Sequence, residues 1–115
     1  MDQLLISARL PHIAPDKLAD FKKLASELVA RTRSEPGVLY YSVFLNAEET
    51  VAEFREVYVD SDAVLAHLAA CGALIGPLAA LGGGLEIGCY GTPSPKLMDA
   101  AAAMSPTFYR YLDGK

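Results

Sequence analysis

Three residues on one short stretch have side chains suited to proton chemistry. Glu56, Tyr58 and His67 lie within Glu56 to Leu68, E-V-Y-V-D-S-D-A-V-L-A-H-L. An imidazole exchanges a proton near neutral pH, and a carboxylate or phenol beside it can orient it or share the proton. Phe54, Glu56 and Tyr58 alternate, so as a strand they share one face. Asp60 or Ser61 can cap a helix starting at once, and Asp62 places a negative charge in its first turn. On that helix Val64, His67, Leu68 and Cys71 follow the i, i+3, i+4, i+7 spacing of a buried face.

Simple lengths bring these groups together. From Asp60 to His67 the helix runs back roughly 10 Å at 1.5 Å per residue. The strand runs about 7 Å from Asp60 to Tyr58 and about 13 Å to Glu56. A helix folded over its own strand therefore sets His67 at a height between Tyr58 and Glu56, around one pocket. Both faces of the strand carry apolar residues, so alternation alone leaves open which face the helix covers. The pocket requires it to be the Phe54–Glu56–Tyr58 face.

Elements must exist to hold this stretch. Gln3 to Leu10 alternates as an amphipathic strand. Pro15 and Asp16 suit a first helical turn, and Leu18, Phe21, Leu24, Ala25 and Leu28 mark one face of a helix over Asp16–Arg33. Glu35-Pro36-Gly37 turns the chain. Val38 to Asn46 and Val51 to Val59 are strands joined by a short hairpin connection. Ala70-Cys71-Gly72 predicts a break after the second helix, at Asp62–Ala69. Ala73 to Leu81 then reads as a separate helical piece with Pro77 near its start. Gly82–Gly84 turns into a fourth strand, Leu85 to Tyr90, and Lys96 to Met104 reads as a helix. The order β-α-β-β-α-β predicts an α+β, ferredoxin-like fold: a four-stranded antiparallel sheet with helices on one face.

The 115 residues fit one domain, with 52% hydrophobic residues and a net charge of −4. That charge and the lack of a basic cluster argue against nucleic acid or an anionic membrane as partner. Residues 1–10 lack a basic n-region and no apolar run reaches about 18 residues, so neither secretion nor membrane insertion is expected. Two cysteines, Cys71 and Cys89, make no disulfide framework, and the expected setting is reduced and cytoplasmic. Neither face of Val38–Leu45 is polar. Helices cover one; a second copy of the chain is the simplest cover for the other, which predicts a homodimer. Phe108, Tyr109 and Tyr111 would be wasted in solvent, so the tail after Pro106 should dock on protein.

The spacing E-x-Y-x-D-x-x-A-x-x-x-H, carried by Glu56, Tyr58, Asp60, Ala63 and His67, resembles the antibiotic biosynthesis monooxygenase (ABM) family. So do the E-P-G at Glu35–Gly37 before an aromatic strand, and the opening strand followed by Pro15 and a long helix. The resemblance spans roughly residues 3–90, an ABM-like domain over 1–92, with 93–115 as a C-terminal helix and tail docking on the dimer. It implies a dimeric α+β barrel in which two ferredoxin-like subunits pack sheet to sheet. It also implies, for several members, oxidation of phenolic or hydroquinone-like aromatics by dioxygen without flavin or metal. Haem-degrading relatives use a Trp with an Asn and a His; this chain has no Trp, so that chemistry is not expected.

Under the enzymatic reading His67 is the base, with Glu56 and Tyr58 beside it. Tyr40, Ser42, Phe54, Val64 and Leu68 line the pocket for a small aromatic substrate, and no cofactor or metal is expected. Each residue also has a plain alternative. His67 can be a core-edge histidine satisfied by Glu56 or backbone, Glu56 the partner of an arginine, and the tyrosines ordinary packing. Two cysteines are too sparse for a closed zinc site. A Cys71–His67 nucleophile pair lacks a helix start to activate the thiol. A non-catalytic small-molecule binder, or a purely structural dimer, fits the same scaffold.

Overall fold

The computed structural model describes residues 3–115. Strand β1 (Leu4–Leu10) buries Leu4, Ala8 and Leu10. A single 3-10 turn at Pro15–Lys17 leads into helix α1 (Leu18–Thr32), in which Phe21, Ala25 and Leu28 of the expected stripe are buried, Leu18 and Leu24 are half-buried beside them, and Thr32 extends the buried face by a turn. Strands β2 (Val38–Leu45) and β3 (Ala52–Tyr58) follow as a hairpin. Asn46 closes it, its Oδ1 accepting from the backbone N–H of Thr50 at 2.8 Å and of Val51 at 3.0 Å. Helix α2 (Ser61–Leu81), strand β4 (Glu86–Tyr90), helix α3 (Pro95–Ala101) and strand β5 (Thr107–Tyr109) complete the chain.

The sheet order is β2-β3-β1-β4-β5. The first four strands are antiparallel, as expected of a ferredoxin-like chain. The fifth is an addition to the expected sheet, and it runs parallel to β4. Gly88–Tyr90 would otherwise present an open edge, and Thr107-Phe108-Tyr109 are residues of high strand preference that satisfy it.

The expected break at Ala70–Gly72 is absent: α2 is one continuous helix through Gly72 and Pro77. Val64, His67, Cys71 and Leu78 are all buried on it, at spacings of three, four and seven. Burying this single stripe outweighs the propensity cost of Gly72 and the hydrogen bond lost at Pro77. The continuous helix also corrects the expectation that no apolar run is long enough to span a bilayer. By length and composition α2 could, with a mean hydropathy of 2.0, His67 being the one strongly polar residue in its middle. In the fold its buried stripe packs against sheet and α1.

Two apolar clusters form the core. One joins Ala8, Leu10, Phe21, Leu28, Phe54 and Leu78; the other joins Leu4, Tyr58, Val64, Cys89 and Leu97. The site lies where they meet. On the outer face of the sheet Leu5, Tyr40, Phe44, Tyr90 and Tyr109 are exposed.

Residues 104–108 fold back as a wall of that inner space, and Ser105 makes the turn in the left-handed region (φ 49°). Deleting residues 105–115 removes β5 and uncovers apolar residues of β4 and α3. The expected result is a loss of roughly 2 kcal/mol in urea unfolding, from the apolar area re-exposed. An unchanged midpoint would show that the tail carries no stability.

Candidate active site

The N-cap of α2 sets the site's geometry. Asp60 is the N-cap, its Oδ1 accepting from the Ala63 N–H at 2.9 Å. His67 follows one turn after Ala63 and faces the sheet, 4% exposed. The inner face of β3 presents Phe54, Glu56 and Tyr58 to it, all buried. The helix thus covers the face that the pocket requires.

The residue that holds the imidazole comes from elsewhere. Glu35 Oε1 and Oε2 lie 3.1 and 3.2 Å from His67 Nδ1. The turn Glu35-Pro36-Gly37 is pressed against α2: a Cβ on Gly37 would come within 2.6 Å of the Ala63 Cβ. Only glycine permits that approach, and it brings the preceding glutamate to the next turn of the helix. A carboxylate only accepts hydrogen bonds, so Nδ1 carries the proton and Nε2 keeps its lone pair. Burial lowers the pKa of His67 from its ordinary 6.5, against the opposing pull of Glu35, so the ring is neutral at pH 7.

Glu56 has a different partner. Tyr58 donates to its Oε1 at 2.6 Å, and no bond joins Glu56 to His67. Burial pushes the Glu56 carboxyl up to about 7, with the Tyr58 hydroxyl opposing. The same burial, then the Glu56 charge, pushes the Tyr58 phenol upward, and burial with Glu56 does so for Tyr41, so both remain protonated. The rings surround the imidazole: Tyr41 at 5.0 Å and Tyr58 at 5.7 Å between centroids, with Phe54 5.5 Å from Tyr41. Burial, then Glu35, raises the Cys71 thiol, which leaves it a poor nucleophile.

A cavity of about 80 Å³ lies among these groups. Phe54, Glu56, Tyr58, Val64, His67 and Leu68 all line it, together with Tyr41 and, from the C-terminal segment, Met104, Pro106 and Phe108. Tyr40 and Ser42 do not. They sit on the outer face of β2, where Ser42 pairs with Arg55 and Tyr40 with Val57. The hairpin register, with Leu45 opposite Ala52, sets this parity, so Tyr41, Val43 and Leu45 share the inner face with Glu56, Phe54 and Ala52; the pairing is irregular only between Tyr40 and Val38. Tyr40 and Ser42, expected at the pocket, thus face outward, and Glu35, expected only to turn the chain, supplies the imidazole's partner. The Pro-Gly after Glu35 was the one available signal that this carboxylate is held in a fixed place. Its partner is 32 residues away, beyond any local spacing.

Fold and cavity define a ferredoxin-like α+β chain in which a buried imidazole between sheet and helix is held by a partly buried carboxylate. The chain belongs to the antibiotic biosynthesis monooxygenase family, whose sequence model matches residues 5–71. Among solved structures it is similar to MupZ from Pseudomonas fluorescens, at 26% identity and a TM-score of 0.83, covering 98% of this chain and 92% of that one. A Caulobacter crescentus protein assigned to the antibiotic biosynthesis monooxygenases is 32% identical with a TM-score of 0.63, covering 76% of this chain and 87% of that one. SnoaB from Streptomyces nogalater, a cofactor-independent oxygenase, shares the fold at 20% identity and a TM-score of 0.67, over 82% of this chain and 96% of that one. A search of curated proteins gives no match.

Proposed function

We propose that this chain is a cofactor-independent monooxygenase acting on a phenolic or hydroquinone-like small aromatic. The observation that carries the reading is the neutral imidazole of His67, fixed through Nδ1 by Glu35 and lining an apolar, aromatic-walled cavity. Family membership supports it. His67 Nε2 takes the phenolic proton, and the Glu35 carboxylate stabilises the imidazolium that forms. The phenolate passes an electron to dioxygen, and the radical pair closes a C–O bond to a ring hydroperoxide. Loss of a ring C–H proton and cleavage of the O–O bond then give a quinone. The His67 imidazolium protonates the peroxide as it forms; Glu56, with its pKa near 7, is suited to give its own proton to the departing hydroxide as water and to take up in exchange the ring C–H proton that is lost. For a phenol with an open para position the balance is phenol plus O₂ to quinone plus water, and the substrate supplies every electron. The apolar walls keep water from the intermediates.

Oxygen uptake with a panel of phenols and hydroquinones tests the reading; turnover with none of them would overturn it. The cavity is smaller than the roughly 300–1,000 Å³ of a drug-sized ligand site, so a ring must displace part of the Met104–Phe108 wall. That small volume is the observation favouring a non-catalytic module instead. Ligand-induced thermal shift without oxygen uptake would decide for a binder.

The working unit on this reading is a homodimer joined through the outer sheet face. Tyr40, Val57, Leu5, Tyr90 and Tyr109 form one row across all five strands, and Tyr90 stacks on Tyr109 at 4.7 Å. The exposed end of the chain at Tyr111 and Leu112 is placed to extend that contact. Light scattering at micromolar concentration should give twice the chain mass, and Leu5→Glu should halve it. A monomeric wild type would end the idea. Cys71 and Cys89 are free and buried, which suits the reduced, cytoplasmic setting expected.

A further inference from the structure

The acid–imidazole pair has a third neighbour that the proposed reaction leaves idle. Cys71 lies one turn beyond His67 on α2, its Sγ 3.5 Å from Glu35 Oε2. One donor atom from each of Glu35, His67 and Cys71 lies within 4.8 Å of the other two. We propose that these three side chains form a binding site for a thiophilic divalent cation of the Zn²⁺ class, and that its occupancy switches off His67 as a base. The second half rests on the function proposed above; the binding itself does not.

The donor set is an imidazole nitrogen, a sulfur and a carboxylate oxygen, three of the groups zinc prefers. Three protein ligands with a fourth position open is the arrangement of catalytic rather than structural zinc sites. Tetrahedral bonds of 2.0–2.3 Å place neighbouring ligand atoms about 3.3–3.7 Å apart. With Glu35 Oε2 as the ligand atom, Nδ1 lies 3.2 Å and Sγ 3.5 Å from it, so two of the three edges are nearly in place. The sequence offered only one histidine and one cysteine at this point; the third ligand arrives with the Glu35 turn.

Charge favours the cation. Among the described residues no Lys or Arg pairs with Glu35, and its neighbours are a neutral ring and a thiol. A dication held by this carboxylate and a Cys71 thiolate would make the cluster neutral, which lowers the cost of its burial. The thiol proton leaves to solvent as the metal binds. Glu35 is 16% exposed, so a cation reaches the cluster without crossing the apolar cavity. A metal on Nδ1 displaces the ring proton to Nε2, and Nε2 then has no lone pair to accept a phenolic proton.

Co²⁺ titration of the full chain tests binding, because thiolate ligation to cobalt gives a charge-transfer band in the near ultraviolet. One equivalent should produce that band. Cys71→Ala should abolish it, and Glu35→Gln should weaken binding at least 10-fold, no less than changes to outer partners of metal sites cost. Cys71→Ser repeats the test if Cys71→Ala melts early. No band at excess Co²⁺, or a band that survives loss of the Cys71 sulfur, overturns the site. In oxygen uptake, Zn²⁺ should inhibit the wild type and spare Cys71→Ala, whose metal-free turnover should match the wild type. A cobalt band without zinc inhibition overturns the switch and keeps the site. If no phenol turns over, the proposed reaction fails while the cobalt result still decides binding.

Discussion

Replacing His67 by Gln should lower turnover by roughly 10²–10⁴-fold, with little change in substrate affinity and a folded chain. Gln fills much of the same volume and can still hydrogen-bond Glu35, but it cannot take a proton near pH 7. The loss should therefore appear in kcat rather than KM. The pH profile gives a second reading. Burial lowers the His67 pKa below 6.5, so the neutral base persists into mildly acidic solution and activity falls only below that point. Glu56 releases its proton at about 7, so an acid role for it predicts an alkaline limb there. Wild type should show a narrow bell, and Glu56→Gln should lose the upper limb. Full activity in folded His67→Gln would remove the imidazole from the mechanism. In that case the Glu35–His67 pair is a buried polar contact that joins the Glu35 turn to α2.

Glu56→Gln should also stabilise the protein by roughly 3 kcal/mol at pH 8 and leave it unchanged near pH 4. The carboxyl titrates at about 7 in the folded chain, against an ordinary 4.5. Between those values the folded chain holds a proton that the unfolded chain has released. Stability therefore falls as pH rises through that window, by about 1.4 kcal/mol per pH step, and is level above it. Gln stays neutral throughout and still accepts from Tyr58, whose hydroxyl lies 2.6 Å away. Urea unfolding of both proteins at pH 4, 6 and 8 measures the difference, which cancels the titration of every other group. Parallel profiles would show that Glu56 titrates normally and that its burial is relieved, by water or by motion of the Met104–Phe108 wall. A buried acid kept at this cost in stability is what a functional proton donor predicts.

Local periodicity determined most of the framework. The alternation in β1 and β3 and the stripe of α1 come from which residues can be buried together within one element, and that is readable along the chain. So is the pairing of β3 with the start of α2, because Asp60 caps the helix that the strand runs into, and His67 is then carried back over Glu56 and Tyr58 by helix rise alone. Only tertiary structure decided the rest. The Glu35 carboxylate meets His67 because Gly37 packs on Ala63, a contact between segments with no shared period. Tyr41 rather than Tyr40 faces the cavity because the hairpin pairs Leu45 with Ala52 and so Tyr41 with Glu56; in a strand with period two a register one residue different would exchange every side chain between faces. Helix α2 runs through Gly72 and Pro77 because Leu78 shares a buried stripe with Cys71, and local propensity cannot see that packing. β5 exists because β4 offers an edge, and an edge is a property of the assembled sheet.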